Sequence, residues 1–175
     1  MPDLHVFDTL TLEELEEASG ELHRRIGIAL RHIGEPRADE WDGEGVSPRR
    51  RVTGYAALIE LASQTLGAIT AGVPAPSART DEHPALVAAL MYATPTIPAL
   101  LARLEQDRRQ LASLARGRET MLDLEAATPW GTVTTRRVVV EASVAEAARC
   151  AMALERFLAA LDAAESGGGP SLGLV

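Results

Sequence analysis

The sequence predicts an all-α fold, a helical bundle of four to five main helices with room for one small β pair. Three observations carry that expectation. Hydrophobic residues make up 46% of the 175 positions but aromatic residues only 3%. The core is therefore built from Leu, Ile, Val and Ala, which suit close helix packing better than a β-sandwich. Apolar residues recur at helical spacing along most of the chain, and Gly and Pro stand where those stretches end.

The first helix is expected from Leu12 to Ile33. Thr11 and Glu14 match a capping box, in which the two side chains satisfy free backbone donors reciprocally. At about 100° per residue, Leu15, Ala18, Leu22, Ile26, Ala29 and Ile33 share one arc, while Glu14, Glu17, Glu21, Arg25 and His32 face away. Gly34 and Pro36 stop the helix. A polar connection follows from Glu35 to Arg51, long for a compact domain. Its acidic and basic halves can pair, and Trp41, its one large apolar group, is expected to peg it onto the bundle.

The second helix is expected from Gly54 to Ala71 with Thr53 as N-cap, burying Tyr55, Leu58, Ile59, Leu61, Ala62, Leu66 and Ile69. Gly72, Pro74 and Pro76 open a turn-rich linker. The third helix starts at Pro84, where proline is tolerated. Thr94-Pro95-Thr96-Ile97-Pro98 breaks it, and a fourth helix runs from the Thr96 cap to about Ala115. Arg118 to Ala127 reads as a short helix and Thr128-Pro129-Trp130-Gly131 as a turn. Thr132 to Val140, rich in Thr and Val, reads as β, with Leu4-His5-Val6-Phe7 as its partner strand. The last helix is expected to open on a second capping box, Ser143 with Glu146, and to run to about Ala164. Residues 1–165 then form one helical domain, and 166–175 a flexible tail.

Composition excludes several chemistries. All 17 basic residues other than His are arginine, so a lysine Schiff base and a P-loop lysine are ruled out. A net charge of −8 disfavours DNA, and RNA for the same reason. One cysteine, Cys150, rules out an intrachain disulfide. With no signal-peptide pattern and no apolar run approaching a membrane span of about 20 residues, a cytoplasmic location without membrane contact is expected.

No metal or cofactor site is expected. His23 and His32 lie nine positions apart on one helix, which turns them to opposite sides, and both are expected at the surface. The acidic loop Asp39-Glu40-Trp41-Asp42-Gly43-Glu44 lacks the EF-hand spacing. Cys150 is read as a small buried thiol. The proline break opens space in a bundle, and Met91, Tyr92 and Ile97 are the residues that would line a pocket there.

Arg25 and His32, with six residues between them, carry one further pattern. Their spacing resembles the Arg-x(4–6)-His motif of the HEPN family, small helical proteins that include metal-independent ribonucleases. The resemblance covers eight residues. It implies a histidine acting on the ribose hydroxyl and an arginine stabilising the phosphate, that is, acid–base catalysis with charge stabilisation. A charged, solvated helix face accounts for the same two residues and is the preferred reading. The function expected from the whole sequence is a non-enzymatic helical interaction module that dimerises or takes a protein partner. Its contact face is the last helix, where Ala145, Ala148, Ala153, Phe157 and Ala160 lie outside the main core stripe. The alternative is an enzyme or ligand-binding bundle at one of the two sites just described.

Overall fold

The structure, a computed structural model, describes residues 9–42, 45–79 and 81–167. It is 72% helical with one two-stranded antiparallel sheet, the architecture the composition predicts. Helix α1 (Leu12–Ile33) opens on the expected capping box: Thr11 Oγ1 accepts from the Glu14 amide at 3.2 Å, and Glu14 Oε2 accepts from the Thr11 amide at 2.7 Å. Gly34, at φ +75°, ends it. The buried face of α1 adds Ser19, His23, Gly27 and Leu30 to Leu15, Ile26, Ala29 and Ile33, while Ala18 and Leu22 are only partly buried. At 3.6 residues per turn, that face is rotated by roughly 60° from the apolar arc. The cause is that α1 is covered from two sides.

Helix α2 (Pro48–Ala71) begins two turns earlier than the apolar pattern suggests. Ser47 Oγ, not Thr53, caps it by accepting from the Arg50 amide, and Pro48 holds the first helical position. Thr53 is buried inside the helix and donates to the Arg49 carbonyl at 2.9 Å. The arginine triplet concealed this turn, because its first member is a buried ion-pair hub rather than a solvated charge. Helix α3 (Pro84–Ala93) and helix α4 (Ile97–Arg116) flank the proline break, where Thr96 Oγ1 accepts from the Ala99 amide as an N-cap.

A single 3₁₀ turn, Glu119–Met121, replaces the short helix expected from Arg118 to Ala127, and the following residues form strand β1 (Glu125–Thr128). Its partner is strand β2 (Gly131–Thr134), in register Glu125↔Thr134 through Thr128↔Gly131. The turn between them is the one expected. Thr128 Oγ1 donates to the Gly131 carbonyl at 2.8 Å and accepts from the Trp130 amide at 3.1 Å, while Gly131 takes φ +94°. The residues proposed as the partner strand, Leu4 to Phe7, lie outside the described residues.

The β-like run ends at Thr134, which caps helix α5 (Thr135–Val140) by accepting from the Arg137 amide at 3.2 Å. A π turn (Glu141–Ala145) joins α5 to helix α6 (Glu146–Gly167) without a break in the helical path. Ser143 is therefore not an N-cap: its hydroxyl donates to the Val139 carbonyl at 2.7 Å within the helical stretch. Val138, Val139 and Val140 are all buried, and burial on every side overrides the strand preference of consecutive β-branched residues. The most extensive packing runs α2 on α4 and α1 on α6, and the core fills the space between these pairs. Among the described residues, no single helix is long and apolar enough to cross a membrane.

Candidate functional site

The sequence-derived pairs are placed as follows. Arg25 makes a two-pronged ion pair with Glu155 of α6, at 2.9 and 2.7 Å, which ties α1 to α6. His32 is exposed in the last turn of α1. Seven residues apart, the two share a helix face but are separated by about 10 Å along the axis. Met91, Tyr92 and Ile97 are not gathered: Ile97 lies in the core, Met91 is half-buried, and Tyr92 is 89% exposed.

The proline break is instead closed by charge. The Arg49 side chain, 6% exposed, reaches three acceptors: Glu35 at 2.6 Å, Asp39 at 3.0 Å and the Pro95 carbonyl at 2.9 Å. Glu35 in turn accepts from the Ile97 amide at 2.6 Å, and the Arg49 guanidinium beside it draws its carboxyl below the usual range. Thr94 donates to the Leu90 carbonyl at 2.7 Å. The loop and the break thus satisfy each other's polar groups. The expected pairing within the loop holds elsewhere too, Arg51 with Asp42 at 2.5 Å. Trp41 does not peg the loop down. It is 78% exposed, its ring lies over Gly45, and it forms one wall of an open groove of about 400 Å³ whose other wall is Ala153, Phe157, Ala160 and Leu161 of α6.

His23 corrects the surface reading of the histidines. It is 8% exposed, wedged between α1 and α2. The Ser19 carbonyl only accepts, so His23 Nδ1 carries the proton and donates to it at 2.8 Å. Nε2 then accepts from the Tyr55 hydroxyl at 3.2 Å. Burial, chiefly, holds this imidazole neutral down to about pH 4. The absence of an apolar side chain at position 23 hid this residue from a periodicity search; the only signal was its place between Ser19 and Gly27 on a small-residue seam. Cys150 is buried, and burial pushes its thiol up to about 12, so it is not a nucleophile at neutral pH. Among the described residues, no three His, Cys, Asp or Glu side chains gather in a metal-ligand arrangement.

Two features stand out on the surface. Helix α3 reads Pro-Ala-Leu-Val-Ala-Ala-Leu-Met-Tyr-Ala, ten residues without a charge, yet only Val87 is buried. Leu86 and Tyr92 are exposed, and Leu90 and Met91 half-exposed. Between α1 and α4 lies a cleft of about 310 Å³ lined by Arg24, Arg31 and Arg108 and one carboxylate, Glu105, which its arginine neighbours hold down to about 2. Of the alanines assigned to a free face of the last helix, Ala145 and Ala153 are buried within the chain, so that face is partly spent on the core. The chain matches no family model, no curated protein and no solved structure.

Proposed function

We propose that this chain is a non-enzymatic helical interaction module that self-associates as a dimer, and that α3 is its contact face. The observation that carries the reading is the combination found at α3: ten consecutive uncharged residues with one buried side chain. A helix with an apolar surface left over after the core is packed is normally covered by something. The occupant favoured is a second copy. A chain of net charge −8 repels its own copies over most of its surface, and an uncharged helix is where two such molecules approach at least electrostatic cost. Ala85, Ala88, Ala89 and Ala93 allow close backbone approach, and a two-fold arrangement needs only this one patch on both copies. The ribonuclease alternative requires Arg25 to leave Glu155 and turn to a phosphate near His32, which makes it the less favoured reading.

Light scattering on a size-exclusion column tests the proposal. The expected mass at tens of micromolar is twice the 18.6 kDa of one chain. Tyr92→Glu, at an exposed site, should weaken the dimer at least tenfold while leaving the helix content unchanged. A monomer in the wild type, or a dimer indifferent to Tyr92→Glu, overturns it.

A further inference from the structure

The arginine cleft between α1 and α4 is unusual in an acidic chain. Three guanidinium groups line it against one carboxylate, and that carboxylate is shared. Glu105 accepts from Arg108 at 2.9 Å and from Arg109 at 2.7 Å. Arg24 is held by Glu21 at 2.8 and 2.6 Å. Arg31 forms no ion pair among the described residues, and its guanidinium lies back across α1 over Gly27. A Cβ at position 27 would stand 3.2 Å from Arg31 Nη2, so an alanine there would move the flexible guanidinium by a few tenths of an ångström. Gly20, seven residues earlier on the same face, leaves open space where its Cβ would be. Leu101 and Leu104 supply an apolar wall from α4.

From this arrangement we infer that the cleft is a binding site for a small polyanion, a molecule carrying two or more linked anionic groups such as an oligophosphate. Guanidinium groups present paired N–H donors that match anionic oxygens two at a time. Leu101 and Leu104 shield one side of the cleft from water, while Arg24 and Arg31 stay exposed to an incoming anion. Arg24 and Arg31 approach the cleft from α1 and Arg108 from α4, so the donors are spread round its rim and linked anionic groups can engage them together. The net charge of −8 disfavours polyanions over the rest of the surface.

Isothermal titration with sodium tripolyphosphate at constant ionic strength tests the site. One saturable site per chain is expected, with inorganic phosphate binding at least tenfold more weakly. Arg31→Gln should reduce tripolyphosphate affinity at least tenfold, and Gly27→Ala, which moves the guanidinium by only a few tenths of an ångström, should reduce it far less. Both variants should keep the wild-type circular dichroism spectrum. Arg50→Gln, which removes an exposed arginine outside the cleft, should bind as the wild type does. Absence of saturation at millimolar tripolyphosphate, equal binding of inorganic phosphate, or equal losses in Arg31→Gln and Arg50→Gln each overturns the site. None of these outcomes depends on whether the chain dimerises.

Discussion

His23 shows how one side chain carries a pH response. In the folded chain the ring stays neutral down to about pH 4, because burial excludes the charged form. In the unfolded chain it takes a proton near its ordinary value of about 6.5. Below that value the unfolded state binds a proton that the folded state does not. The stability associated with His23 is therefore fully present above about pH 6.5 and lost progressively as the pH falls toward 4. At about 1.4 kcal/mol per pH unit, roughly 3 kcal/mol is at stake over that window. Urea midpoints measured from pH 7 to pH 5 should fall steeply in the wild type and markedly less in His23→Gln; parallel curves would show that the histidine is not buried as described. Neighbouring positions on α1 test the rotated face. Ile26 is fully buried and Leu22 only partly so. Ile26→Ala should cost roughly 2–5 kcal/mol and Leu22→Ala about 1–2 kcal/mol. His32→Ala, at the surface, should cost less than about 0.5 kcal/mol. Equal denaturant midpoints for the Ile26 and Leu22 variants would restore the unrotated face.

At the scale of elements, Arg49 joins three segments that the chain keeps far apart: the loop through Glu35 and Asp39, the start of α2, and the α3–α4 break through Pro95. Arg49→Ala leaves the Pro95 carbonyl and the two carboxylates without their partner. Both carboxylates are about half exposed, so water recovers part of the loss. A destabilisation of roughly 3 kcal/mol is expected, between a surface pair and a fully buried one. Hydrogen exchange should also quicken at the Ile97 amide, which Glu35 holds. A variant as stable as the wild type, with Ile97 still protected, would mean that the break is held by its own caps alone. The π turn acts on a neighbouring element by a different route. It carries the chain from three consecutive buried valines into α6 without a cap, which is why the Ser143-x-x-Glu146 pattern matches a capping box in sequence and none in space.

For the whole molecule, the net charge of −8 sets how copies meet. Repulsion between two acidic chains is long-range and screened by salt, with a Debye length of about 10 Å at 0.1 M, whereas contact through the uncharged α3 is not. Raising sodium chloride from 50 to 500 mM should therefore tighten the proposed dimer, as read by sedimentation. Weakening would mean that ion pairs, and a different face, hold the copies together. The same charge makes the arginine cleft a local exception, and the two proposed surfaces lie on different helices, α3 and the α1–α4 seam.

The sequence by itself determined what depends on neighbours along the chain. The helical class, the Thr11 capping box, the Thr96 cap and the Thr128–Gly131 turn all follow from backbone donors met within three or four residues. The charge pairing of the 35–51 loop followed from its composition. Tertiary packing decided the rest. It turned Thr135–Val140 from strand to helix, because burial on all sides outweighs intrinsic β preference. It buried His23 and Arg49, because polar groups enter a core when partners from distant segments satisfy them, and periodicity cannot register a partner 32 or 46 residues away. It left α3 exposed for the converse reason: apolar composition states a preference for burial, and only the arrangement of the other helices determines whether the molecule itself can meet it.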